Sequence, residues 1–187
     1  MTPDDAFFRF LTFVWRPEND GRRAGAAPGE TFQTVRGVTA DKWAEAIAHN
    51  VVPAGVPLSV ATDDELTAVL RWGCWDPVWG NQLAKGGAPG LALVLANMAM
   101  VAGNAAAVRP LQALLPGLDV DGVMGPKTAA RAVVAVKAEG RDLLGDLTDA
   151  YVEHFRTRPR ASEFLAGWAR RARDAEMVAG AADRLIV

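Results

Sequence analysis

The sequence predicts a mainly α fold, and three observations carry that prediction. Apolar residues recur at helical spacing in most segments long enough to show a period. Thr2, Thr39 and Thr62 stand where N-caps belong, and Asp5 and Glu65 complete capping-box patterns with two of them. Pro3 and Pro126 suit first helical positions, where a missing N–H costs nothing. Only residues 31–38 alternate in part, with Phe32, Val35 and Val38 apolar, and fit a short strand or extended segment.

The first helix presents Phe7, Phe8, Phe10, Leu11, Val14 and Trp15 as one apolar face. Pro17 ends it near Arg16, because proline disfavours the α region for the residue before it. Glu18 follows, close to Trp15. A carboxyl held against apolar surface loses solvation of its charged form, so its pKa rises and it can donate a proton near neutral pH. The same residue also reads as an exposed loop glutamate, and position alone leaves both readings open.

Residues 22–29 form a loop or irregular hairpin around Pro28. Thr39 caps a helix over 40–49 with Trp43, Ala44 and Ile47 inward. Pro53, Gly55 and Pro57 mark a loop, and the Thr62 box opens a helix through Leu66, Val69 and Leu70. Trp72, Trp75 and Trp79 crowd the next stretch, either as core or as a wall for stacking sugar rings. A loop over 85–90 leads into an apolar core helix at 91–102. Pro110 lies inside the helical pattern of 104–115, so a break or a helix start is expected there. Residues 119–128 make a compact turn around Asp121-Gly122, with Pro126 opening a helix that runs on through 129–136. Its two aspartates hint at calcium, but the further oxygen ligands of an EF-hand loop are missing. Helices at 143–155 and 162–178 close the chain, with Arg170, Arg171 and Arg173 on solvated faces and a loosely packed tail beyond Gly180.

The composition narrows the function classes. The 187 residues, half of them hydrophobic, suffice for one domain, or one domain with a small lobe. A net charge of −2 leaves no electrostatic footprint for nucleic acid. Cys74 is the only cysteine, so no intrachain disulfide forms; it reads as a small buried hydrophobe. His49 and His154 are too few for a typical catalytic zinc site, and neither a metal nor a cofactor is expected. The apolar run at 90–102 is too short to span a bilayer, and no signal peptide is evident. The expectation is a chain made in the cytoplasm without stable membrane insertion.

The order of several motifs resembles family 108 of the glycoside hydrolases, the lysozyme-like muramidases of phage endolysins and secretion activator proteins. Phe13-Val14-Trp15-Arg16-Pro17-Glu18 matches the family's apolar helix ending in its catalytic Glu. Pro28-Gly29 and Thr34-Val35-Arg36-Gly37-Val38-Thr39 match the Asp-Pro-Gly-Gly loop and the Thr-x-x-Gly-Ile-Thr segment. Trp75-Asp76-Pro77-Val78-Trp79-Gly80-Asn81-Gln82-Leu83 is similar to Trp-x-Pro-x-x-Gly-Asp-Gln-Leu, and residues 91–103 match the apolar helix after it. Leu111-Gln112 and the turn from Asp121 to Thr128 resemble the family's peptidoglycan-binding part, as does the late pattern of Phe164, Gly167, Trp168 and Arg171. The chain departs from the family at Asn19-Asp20-Gly21, which replaces Gly-Gly-Tyr, and at the Arg22–Ala27 loop, which replaces an Asp-rich one. Asn81 and Asn97 stand where the family has acids, and Val101 where it has Asn.

The resemblance implies a mainly α, lysozyme-like helical fold with a short β-hairpin after the first helix. It divides the chain into a catalytic region over 1–103 and a helical, peptidoglycan-binding-like region over 104–187 packed on it. It implies hydrolysis of the β-1,4 bond between N-acetylmuramic acid and N-acetylglucosamine, with Glu18 protonating the leaving oxygen. Asp20 and Glu30 are the nearest candidates for the second carboxylate, with Asp41 behind them. Asp20, Glu30, Thr34, Thr39, Trp75, Gln82 and Asn97 are the expected substrate-binding residues. The partners it implies are peptidoglycan glycan strands; with no signal peptide evident, export is expected to need a membrane lesion such as a holin pore, with action in the periplasm or cell wall after release. The alternative is a catalytically degenerate lysozyme-like protein that binds peptidoglycan, or serves in a phage particle, without cutting.

Overall fold

A computed structural model of the chain describes residues 1–16, 34–138 and 142–184. Among these residues it has nine α-helices and one two-stranded antiparallel sheet. Helix α1 spans Pro3–Val14. Thr2 Oγ1 accepts from Asp5 N at 3.1 Å while the Asp5 carboxylate accepts from Thr2 N at 3.1 Å, which satisfies two orphan donors reciprocally. Phe7, Phe10, Leu11, Phe13 and Val14 face the core. Phe8, expected on that face, is 68% exposed, because it lies on the opposite side of the turn from Phe7 and Phe10.

Strands β1 (Thr34–Val35) and β2 (Val38–Thr39) pair Thr34 with Thr39 and Val35 with Val38. The expected strand is thus a tight hairpin. Its two turn residues, Arg36 at φ 47° and Gly37 at φ 83°, are both left-handed, as a type I′ turn requires. Thr39 then caps α2 (Ala40–Ala48), accepting from Lys42 N at 3.2 Å. Trp43 and Ala46 are the buried residues of α2, and Ala44 points to solvent.

Helix α3 (Asp63–Leu70) opens with the expected Thr62–Glu65 capping box and runs directly into a π-helical turn, Arg71–Trp75. Such a turn carries an extra residue, and here it buries Gly73, Cys74 and Trp75 together. The Trp75 ring lies 5.4 Å from Phe7 and 5.8 Å from Phe10, centroid to centroid. Helix α4 (Gly80–Lys85) starts against it; a Cβ on Gly80 would sit 2.3 Å from the Trp75 indole.

Helix α5 (Pro89–Ala102) is buried continuously from Pro89 to Ala99. Helices α1, α4, α6 (Asn104–Leu114) and α9 (Ala161–Arg184) all pack on it. Pro110 neither breaks nor starts α6. It denies the Ala106 carbonyl a helical donor, and one residue on the Tyr151 hydroxyl donates to Ala107 O at 2.8 Å. That bond ties α8 (Leu143–Arg156) to the irregular point. Helix α9 continues to Arg184, past the loose tail expected beyond Gly180. Residues from both 1–103 and 104–187 enter one hydrophobic core. Among the described residues no helix is long and apolar enough to cross a membrane.

The turn before α7 (Pro126–Lys137) is braced by Gln112. Its Nε2 donates to Asp121 Oδ1 at 2.7 Å and its Oε1 accepts from Gly122 N at 2.8 Å. The Val123 N–H and Gln112 hold the Asp121 carboxyl below the usual carboxylate range. Gly122 has φ 81°, and a Cβ there would lie 3.1 Å from Ala105 Cβ. Gly122→Val therefore combines left-handed strain with a clash and should cost about 2 kcal/mol or more, read as a lower midpoint in urea unfolding. A variant of wild-type stability would show that the turn does not depend on this glycine.

Candidate functional site

The C-terminal end of α1 is the most chemically loaded part of the described chain. Trp15 caps the helix and is half-buried. The Arg36 guanidinium lies 4.6 Å from the Trp15 ring centroid and 3.5 Å from the Asp63 carboxylate, so the hairpin turn is tied to α1 and α3 at once. Beneath it, Arg171 from α9 is only 7% exposed, which corrects its expected place on a solvated face. Its Nε donates to Asn97 Oδ1 at 2.8 Å, its Nη2 approaches Met100 Sδ at 3.7 Å, and its charge is 6.0 Å from the Phe13 ring centroid. Burying a guanidinium costs several kcal/mol unless acceptors meet it, which accounts for a polar residue inside the otherwise apolar α5.

Met100 links this knot to a cavity. Gly37 packs on it, so that a Cβ at 37 would stand 3.0 Å from Met100 Cε. The cavity measures about 250 Å³ and lies between the hairpin, α2, the α3–π segment and the α5–α6 junction. Thr39, Lys42, Gly73, Met100 and Asn104 line it, and so do Val69, Leu70 and Cys74, its apolar floor, which are buried at 0%, 2% and 5% exposure. Lys42 Nζ is 2.6 Å from a Glu45 carboxylate oxygen and 5.4 Å from the Trp72 ring centroid. Burial pushes the Cys74 thiol up to about 12, so it is a neutral wall group.

The residues expected at the site fall in different places. Glu18, Asp20 and Glu30 lie outside the described residues. Thr34 and Thr39 are cross-strand partners, and Thr39 reaches the cavity while also capping α2. Trp75 is 0% exposed and donates its indole N–H to Asn81 Oδ1 at 2.9 Å. It is core, and offers no ring face for a sugar. Asn97, 4% exposed, is likewise enclosed, its Oδ1 committed to Arg171. Gln82 is exposed on α4 and does not line the cavity, and Asp41 is exposed in the first turn of α2. Lys42, Gly73, Met100 and Asn104 were not singled out from the sequence. The one available signal was Gly73 inside a helical, tryptophan-rich run, where a glycine usually serves close packing or a cavity.

No protein-family model matches the chain, and no curated protein does. Among solved structures, the chain is similar to SagA of Brucella abortus, with 25% identity over 97% of both chains and a TM-score of 0.79. The architecture is therefore a mainly α, lysozyme-like fold of the SagA type.

The buried thiol gives a direct check on the cavity floor. At pH 8, Cys74 in the folded chain should react with a thiol reagent far more slowly than in denaturant. Its raised pKa also gives a sign for stability. The folded state holds the thiol proton that the unfolded state loses, so this contribution is intact below the ordinary value of 9.0 and is lost as pH climbs toward about 12. Labelling at equal rates in the two states would show that the floor opens to solvent.

Proposed function

We propose that the chain is a peptidoglycan hydrolase of the muramidase type, cleaving the β-1,4 bond between N-acetylmuramic acid and N-acetylglucosamine. The observation that carries this reading is the end of α1. The helix stops at Val14 with Trp15 as its cap, shortly before the position that the resemblance gives to the catalytic glutamate, and the likeness to SagA extends over nearly the whole chain. Glu18 stands three positions beyond Trp15 in sequence. In this reading Glu18, protonated near neutral pH, donates to the glycosidic oxygen. A second carboxylate, drawn from Asp20, Glu30 or Asp41, attacks the sugar or activates water. A separation of about 5–5.5 Å between the two carboxyls would give retention, and about 6.5–9.5 Å inversion.

A second reading has its own support. Asn81 and Asn97 occupy positions where the resemblance places acids, and both amides are engaged internally, with Trp75 and Arg171. A protein that binds peptidoglycan without cutting it would tolerate this.

Digestion of purified peptidoglycan, with released muropeptides identified by mass, separates the two. Glu18→Gln keeps shape and hydrogen bonding but lacks the acidic proton. It should fold, retain binding to insoluble peptidoglycan and lose at least about a hundredfold in cleavage rate. Equal rates in the variant and the wild type would remove Glu18 from the mechanism, and a wild type that binds but releases nothing would establish the second reading.

A further inference from the structure

The Met100 sulfur stands at a junction that the hydrolase reading does not use. Of the five methionines, Met98 and Met124 are 2% and 5% exposed and lie in the core, and Met177 is 66% exposed on α9. Met100 is half-buried and lines the cavity, yet it is also a packing residue. A Cβ at Gly37 would meet its Sδ at 3.1 Å and Val14 Cγ1 at 3.5 Å, so the thioether packs on the hairpin turn beside the end of α1. From α9, Arg171 Nη2 approaches the same sulfur at 3.7 Å. Gly37 and Arg171 thus cover the sulfur from two sides, and the cavity is the approach left to a small reagent. Its volume of about 250 Å³ far exceeds the roughly 10–15 Å³ that one water needs. A neutral oxidant the size of hydrogen peroxide fits inside.

We propose that Met100 is a reversible oxidation site: a peroxide entering through the cavity converts its thioether to one epimer of the sulfoxide, and the product loosens the hairpin turn from the end of α1. A sulfur lone pair attacks one peroxide oxygen. The S–O bond forms as the O–O bond breaks, and the departing oxygen keeps its own hydrogen, takes the other and leaves as water. Sulfur is oxidised by two electrons and the peroxide is reduced by two. Contacts with Gly37 and Arg171 hold the sulfur in one orientation, so the oxygen arrives from the cavity side and a single epimer results. The product is polar and chiral where the thioether was apolar, and such a group disrupts the packing it stood in. Its oxygen is a strong acceptor, and a turn toward the Arg171 guanidinium carries the ε-methyl off Gly37. A methionine sulfoxide reductase restores the thioether. The site is independent of whether the chain cuts glycan.

Exposure of the full folded chain to hydrogen peroxide, with sulfoxide at each methionine followed by peptide mass spectrometry, tests the site. Met100 should oxidise at least about tenfold faster than Met98 and Met124. Peptides from the treated protein are then offered to the two classes of methionine sulfoxide reductase, each specific for one epimer. One class should clear nearly all of the Met100 sulfoxide, whereas Met177, open to solvent, should need both. Val35 and Val38 pair across the hairpin, and their amides report on the turn. Their hydrogen exchange should quicken at least about tenfold once Met100 is oxidised, and return after reduction, while Ala132 in the buried face of α7 keeps its rate. Met100→Leu, which conserves volume, should still oxidise at Met177 but show no change at the hairpin. If that variant does not fold, the wild-type measurements decide. Oxidation of Met100 as slow as that of Met98, equal amounts of its two epimers, hairpin exchange unchanged by the sulfoxide, or the same quickening in peroxide-treated Met100→Leu would each overturn the site. Faster exchange at Ala132 as well would mean general unfolding and would overturn the local switch.

Discussion

Everything else in the structure depends on the burial of α5 from Pro89 to Ala99. A helix apolar all round cannot stand at a surface, so other elements must enclose it. Helices α1, α4, α6 and α9 do so, and they come from both ends of the chain. The one polar residue in the enclosed stretch, Asn97, then fixes how the last helix arrives. A buried amide without a partner costs about 1–3 kcal/mol, and a buried guanidinium costs more. Placing Arg171 against Asn97 gives the guanidinium an acceptor and the amide oxygen a donor, and pins α9 to α5 at this point.

The same helix sets where a ligand can approach. Continuous burial runs out at Ala99, and Met100, Val101 and Ala102 are only partly covered. At this end the hairpin turn seats Gly37 on Met100, Arg36 stacks on Trp15, and the cavity opens toward α2 and α6. The interior is thus closed at one end of α5, while its other end carries the chemistry-bearing surface. Trp75 shows the division of labour among the tryptophans. It anchors α1 and α4 in the core, whereas Trp15 and Trp72 keep partial exposure and take cations on their faces.

Much of the fold is legible in the sequence because its signals are local. The Thr2, Thr39 and Thr62 caps act within one turn of the chain, and each forms as the sequence implies. The misreadings come from tertiary partners that periodicity cannot show. Arg171 looks solvated among Arg170 and Arg173 until Asn97, 74 residues away, supplies its acceptor. Pro110 looks like a helix break, yet α6 runs through it from Asn104 to Leu114 and packs on α5 and α8. The site was less legible than the fold. Trp75 and Asn97 belong to motifs that suggest sugar contact, yet both are consumed by packing. The cavity is assembled from the hairpin, α2, the α3–π segment, α5 and α6, and no linear pattern marks such a set.

On the reading proposed above, this lysozyme-like fold hydrolyses the glycan strand of peptidoglycan at one of its two alternating bonds. The most direct measurement is the identity of new reducing ends after digestion, trapped by borohydride and read by mass. Muramidase action predicts muramitol ends that accumulate with time. Glucosaminitol ends would contradict the bond assignment, and the absence of any new reducing end would contradict hydrolysis.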